Sequence, residues 1–570
     1  MALSMDVAYP SRFRHNPSML KLATLIDNPG EPQVETRYRD PKHLKDLGYT
    51  GRVMYATTGL SGVDTAESVG SGEMRRFVEQ QFERASQTID GSLKAGLEMY
   101  ITYDVLSLPR MMVDRDEAAL CCKNRPGMLC PASDAAIDRS VAALRAHLQR
   151  WPQLNGIVLR FGDNDAARLP YLVGNDIYQP HCPRCSQLGR VDRIVRVLHR
   201  FHALVVGEFG KRLIARAWNV RPNGMHDSVD VSNRLRDQLP GKDNPRDDRF
   251  VLSFKFSEAD FWRYQKWNPA SLVFGERPII YELQCQREFE GKGGVPNWQP
   301  PLWRDGYPET REGDAAPMGL AAAVKKVNFA GLWAWVRGGG WGGPFVKNET
   351  WIDANVFAVP QLADRPDADT VQLADAWVRQ RLGITDSATA TAIRQVLIHS
   401  PTIALEGFYI GPFAKMRNNP WHPNGDLIQD DLIDAQAAWR MIQRLPDAQL
   451  DEVVAEKMRA VEQLAKDQGS LHHLMNESNR AVLDPMINTM IYAESLFRML
   501  GNLLAGLAAY RRYLKKKDPG VATQCRQRLL GSQSDWTHHT QRYGAIPGAA
   551  TAFREAHFWD LTQQILGELG

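Results

Sequence analysis

Between residues 36 and 385, short apolar runs alternate with longer stretches of helical periodicity. No other feature of the 570-residue chain constrains its fold as strongly. The pattern predicts strands at 52–58, 97–104, 156–162, 212–219, 250–256, 278–288, 329–336 and 354–360. Amphipathic helical patterns lie between most of them, for example over 72–95, 134–149 and 190–209. Strands separated by helices pair in parallel, because each crossover brings the chain back to the same end of the sheet. Eight such strands over this length fit a closed (β/α)8 TIM barrel better than an open doubly wound sheet. No Gly-x-Gly-x-x-Gly follows the first strand, which weakens the dinucleotide-binding alternative.

Residues 1–35 read as an irregular N-terminal arm, rich in Pro and polar side chains, and the barrel is expected over 36–385. Beyond 386 the strand pattern stops. Residues 428–444, 448–468, 483–517 and 548–569 carry apolar faces at helical spacing, so 386–570 is expected to be an all-α C-terminal domain. The 69 basic and 66 acidic residues leave a net charge of +3, which gives neither nucleic acid nor a membrane surface a reason to bind. The N-terminus has no apolar signal region, and the seven cysteines are too sparse and odd in number for a disulfide framework. These features predict a cytoplasmic protein.

In a barrel of this kind the chemistry sits at the C-terminal ends of the strands. Three carboxylate groups fall there: Asp163 and Asp165, then Asp260, then Glu288. Facing carboxylates are what glycoside hydrolysis uses, one to protonate the leaving oxygen and another to activate water or attack the sugar. Aromatic residues favour a sugar ligand. Eight of the fifteen tryptophans crowd residues 260–351, and Trp298, Trp303 and Trp341, in loops, read as a contact surface rather than core.

Three segments then carry a resemblance to the α-glucuronidases of glycoside hydrolase family 67. In FKFSEADF (254–261), Lys255 and Asp260 match the family's lysine and catalytic aspartate. In ELQCQREFEG (282–291), Glu288 matches its second catalytic carboxylate, 28 positions later as in the family. WIDANVFAVPQLADRPDAD resembles the last barrel strand and its exit. The resemblance implies an inverting, exo-acting enzyme that releases (4-O-methyl-)glucuronic acid from xylo-oligosaccharides in xylan degradation. It also implies Arg160, Arg216 and Lys255 as cations for the sugar carboxylate, and a homodimer through the helical domain. Trp218, Trp262, Arg287 and Trp341 complete the expected substrate-binding set, which needs neither cofactor nor metal. Two departures stand out. The family's N-terminal β domain is not expected here, and VLRFGDND (158–165) puts Asn164 where the family has its general-acid glutamate. An amide cannot donate the proton, so Asp163 or Asp165 is expected to substitute. A barrel glycosidase of different glycan specificity, or a catalytically decayed sugar-binding relative, are the alternatives.

Two motifs stand outside this reading. HCPRC (181–185) is half a zinc site, which Cys121, Cys122 or Cys130 completes only if two loops meet. His422, in NPWHPNG, could reach the barrel mouth from the helical domain.

Overall fold

The structure, a computed structural model, describes residues 19–570 except 29–32, 34, 163, 165–168, 176, 179, 220–222, 339–346, 417–421, 430–431 and 545–553. Eight parallel strands close a barrel: β1 (Leu20–Ile26), β2 (Gly51–Met54), β3 (Glu98–Asp104), β4 (Gly156–Gly162), β5 (Arg212–Asn219), β6 (Phe250–Lys255), β7 (Pro278–Gln284) and β8 (Asn328–Gly338). Each pairs with its neighbours in chain order, and β8 returns to β1. Most strand residues are buried, one face towards the barrel interior and the other under the helices. A TIM barrel followed by a helical region is therefore what the chain forms.

Two strand expectations need correction. The first strand is Leu20–Ile26, inside the stretch expected to be an irregular arm. Lys21 disguised it in the sequence. The side chain is 1% exposed and lies 2.6 Å from Asp364, so its charge is matched inside the protein. Conversely, the expected last strand at 354–360 is part of a helix, α1 (Thr350–Asp364). Twelve of its fifteen residues are buried, which erases the one-sided periodicity that marks a surface helix. The segment WIDANVFAVPQLADRPDAD is thus this helix and its exit, not a strand. Its polar residues are matched: Asn355 Nδ2 donates to the carbonyls of Cys285 and Asn297, each at 3.0 Å.

Four long helices dominate the C-terminal region: α2 (Ser387–Phe408), α3 (Leu450–Leu474), α4 (Arg480–Lys516) and α5 (Pro519–Tyr543). α5 escaped the sequence pattern because its buried stripe is partly polar. Cys525, Leu529, Ser532, Trp536, His539 and Tyr543 recur at alternating spacings of four and three and pack on α4. No helix among the described residues is long and apolar enough to cross a membrane.

A register shift interrupts the pairing of β4 with β5 between Arg160 and Gly162, where β4 reaches the barrel mouth. Such irregularities re-aim side chains at strand ends.

Candidate active site at the barrel mouth

β6 ends at Lys255, and the chain then makes a tight loop closed by a bridge between Ser257 and Trp267. Asp260 and Phe261 take left-handed backbone angles there, with φ of 44° and 63°. That conformation disfavours residues with a Cβ and tends to mark functional positions. It brings Asp260 back onto Lys255, whose ammonium donates to Asp260 Oδ1. The ammonium also lies over the rings of Trp218, Phe261 and Trp335, at 3.6, 4.7 and 4.8 Å from their centroids. Lys255 is 2% exposed and the Asp260 side chain 23%, so the carboxylate is the accessible half of the pair. Behind Trp218, burial first and then the Lys255 charge push His226 well below its ordinary pKa, so it is neutral.

The loop after β7 presents Glu288. Its backbone N–H donates to Gln284 Oε1 at 3.1 Å, and the side chain of Gln286 accepts from the Gly338 N–H at 3.2 Å. Arg287, at φ 59°, forms a buried ion pair with Glu290. Glu290 also accepts from Asn297 Nδ2 at 2.6 Å and from the Tyr409 hydroxyl at 2.9 Å. Burial alone would raise the Glu290 carboxyl, but Arg287 and its other partners outweigh that and hold it below its ordinary value. Arg287, expected to bind substrate, is therefore turned onto Glu290, and the pair fixes the turn that carries Glu288. The buried Nε2 groups of Gln284 and Gln286 have no hydrogen-bond partner among the described residues, which leaves two donors close to Glu288 in the chain.

A ring stack joins the two loops. Trp262, two residues after Asp260, stacks on Phe289, next to Glu288, with centroids 3.8 Å apart and planes 14° from parallel. His422 also reaches this pair, its ring 6.1 Å from that of Trp262 and steeply inclined to it. The helical region therefore contributes both His422 and Tyr409 to the mouth, and only the first was visible in the sequence.

Below the loops the barrel interior holds a belt of ion pairs. Arg216 Nε donates to both oxygens of Glu282, each at 3.0 Å. Glu282 also accepts from Ser253 Oγ at 2.9 Å and Trp335 Nε1 at 3.1 Å. Arg160 lies 3.4 Å from Asp104 and over the ring of Tyr55. Each of the three expected uronate-binding cations is thus found beside a carboxylate: Lys255 with Asp260, Arg216 with Glu282, Arg160 with Asp104. Glu282 and Tyr55 were not among the expected site residues. A glutamate in the middle of an apolar strand was the available signal for the first.

Trp298 and Trp303, expected on a contact surface, are fully buried at 1% and 0% exposure and belong to the core. Asp163, Asp165 and Trp341 lie outside the described residues. Asn164 ties the β4 exit to its surroundings, since its Nδ2 donates to the carbonyls of Leu106 and Asn175.

No family model matches the chain. It is 26% identical over 191 residues to an α-glucuronidase of Hypocrea jecorina, a stretch that is 32% of this chain and 21% of that protein. It is 26% identical over 166 residues to a probable α-glucuronidase A of Neosartorya fischeri, covering 27% of this chain and 19% of that one. The matched stretch is thus about a fifth of these relatives' length. A solved structure of a GH138 enzyme targeting pectin rhamnogalacturonan II superposes over 97% of this chain and 83% of its own, with a TM-score of 0.57 and 12% identity. The chain therefore shares the architecture of that glycoside hydrolase, barrel and helical region together, and bears a distant, partial sequence similarity to α-glucuronidases.

Proposed function

We propose that the protein is a glycoside hydrolase acting on uronic-acid-containing oligosaccharides, an inverting α-glucuronidase-like enzyme. The observation that carries this reading is the Trp262–Phe289 stack, which joins the Asp260 and Glu288 loops above three buried cations. Asp260 and Glu288 hold and deprotonate a water on one face of the sugar. Asp163 or Asp165, at the exit of β4, protonates the glycosidic oxygen on the other face. Inversion requires the acid and base about 6.5–9.5 Å apart, to admit that water. Arg160, Arg216 and Lys255 supply positive charge for a sugar carboxylate, which a neutral hexose would not match.

A second reading keeps the chemistry and changes the glycan. The fold shared with the GH138 enzyme extends through the helical region, and the β4 exit, with Asn164 tied to Leu106 and Asn175, departs from a glutamate acid. Under it the substrate is another uronoside, such as a pectic one. The test is proton NMR of the first product released from glucuronosyl and galacturonosyl oligosaccharides by wild type, Asp260→Asn and Glu288→Gln. Inverted anomer from wild type and none from either variant supports the mechanism. Retained anomer, or full activity in both variants, refutes it.

A further inference from the structure

The loops that follow β3 and β4 bring four cysteines together. Cys122 lies in a hairpin in which Cys121–Cys122 pairs antiparallel with Arg125–Leu129, and Cys130 follows directly. Cys182 precedes, and Cys185 lies within, the single helical turn Pro183–Ser186. All four are buried, and their sulfurs lie within 4.8 Å of one another. The Cys182–Cys185, Cys130–Cys182 and Cys122–Cys185 separations are 3.6, 3.8 and 4.0 Å. They form a cluster of their own, with Ala132 packed against it, apart from the main core. The adjacent Cys121 belongs to that main core instead, since neighbouring strand residues face opposite ways. This settles which cysteines complete the HCPRC half-site.

The separations select the occupant. A disulfide needs its sulfurs about 2.05 Å apart. A tetrahedral zinc with bonds of about 2.3 Å sets sulfur–sulfur edges of about 3.8 Å. Iron–sulfur clusters interpose several irons and sulfides, which spreads the ligand sulfurs further. We infer that Cys122, Cys130, Cys182 and Cys185 bind one zinc ion in a structural four-cysteine site.

The surroundings suit a zinc–thiolate centre. The backbone N–H groups of His181 and Cys182 donate to Cys185 Sγ at 3.0 and 3.2 Å, as donors that stabilise a thiolate do. Arg184 reaches across to the Cys121 carbonyl at 2.9 Å, joining the two loops and placing a positive charge beside the sulfurs. Arg193 holds the carbonyls of Ile177 and Tyr178 at 2.8 and 2.7 Å, fixing the chain that leads into Cys182. Asn175, after β4, donates from Nδ2 to the Leu129 carbonyl of the hairpin at 2.6 Å, and its own carbonyl accepts from Asn164. The ion thus staples together the exits of two adjacent barrel strands and, through Asn175, positions the β4 exit at Asn164.

The test is elemental analysis of the full-length protein, purified under reducing conditions without added metal or chelator. About one zinc per chain is expected, displaced by a mercurial thiol reagent, and falling to background in Cys122→Ser and Cys185→Ser. Should those variants not fold, cobalt(II) exchange into wild type gives an independent reading through the visible absorption of tetrahedral cobalt–thiolate. Failure of the reduced protein to retain zinc or take up cobalt overturns the inference. So does an intact mass short of two hydrogens for each of two bridges, which marks disulfides. Iron recovered in place of zinc overturns the identity of the metal.

Discussion

The loops after β6 and β7 hold their side chains by charge and unusual backbone, whereas those after β3 and β4 are held by amide hydrogen bonds and clustered thiols. On the first side, Asp260, Phe261, Tyr264, Arg287 and Lys292 all have positive φ. Each such residue costs about 1–2 kcal/mol relative to ordinary backbone, and buried ion pairs and the Trp262–Phe289 stack keep them there. On the second side, no described non-glycine residue between 105 and 211 has positive φ. Its geometry rests on Asn164, Asn175, Arg193 and the four cysteines. The water-activating half of the proposed site is therefore rigid by construction of its own loops. The acid-bearing half is positioned from further away.

Removing the carboxylates strikes the first side hardest. Asp260→Asn and Glu288→Gln should each lower turnover about 10²- to 10⁴-fold, measured as kcat on the responsive substrate, with circular dichroism unchanged. A loss under threefold in either would detach that residue from the chemistry. Next comes the ion-pair belt. Arg216→Met leaves Glu282 buried without its partner and should destabilise by about 3–5 kcal/mol. Replacing both by apolar residues of similar volume should recover much of that, so a double-mutant cycle in denaturant unfolding reads the coupling.

Acid separates the two sides further. His147, on the helix following the cysteine hairpin, is fully buried with Nε2 2.6 Å from the Val63 carbonyl. Burial lowers it from 6.5 to about 4. Between those values the unfolded chain binds a proton that the folded chain refuses, so stability present above pH 6.5 is lost as pH falls towards 4. The loss is about 3 kcal/mol, and denaturant unfolding of wild type and His147→Gln at pH 7 and 4.5 measures it. Glu290, held below its ordinary value, adds its own loss only below about pH 4.5, as it is protonated. The smallest effect is expected at Asn164. Asn164→Ala should cost about 1–2 kcal/mol for the two hydrogen bonds lost, the Leu106 carbonyl keeping the Asn175 N–H. Asn164→Asp should not raise activity, because a carboxylate there would face the two carbonyls to which the amide now donates.

The alternation of apolar runs revealed seven of the eight barrel strands, because a parallel strand buried on both faces leaves a short, dense apolar signature. It failed at β1, where Lys21 is matched by a partner 343 positions away, and at α1, where burial on all sides removed the helical period. Asp260 and Glu288, the carboxylates proposed for catalysis, were picked out by motif and spacing. Their supports were not. The pairing of Arg216 with Glu282, of Arg287 with Glu290, and the reach of Tyr409 into the mouth depend on how the barrel closes and where the helical region docks. Local pattern carries neither. Half of the cysteine site was readable as Cys-x-x-Cys. Choosing Cys122 and Cys130 over Cys121 needed the hairpin's register.

A pocket built for a uronosyl group must distinguish a carboxylate from an alcohol. The decisive comparison is kcat/KM for a uronosyl oligosaccharide and for the same sugar with its carboxyl reduced. The uronoside should be preferred on the order of 10³-fold or more, because its carboxylate adds charge-assisted hydrogen bonds to the cations that an alcohol cannot match. Equal or faster turnover of the reduced, neutral sugar would contradict a uronate-binding pocket.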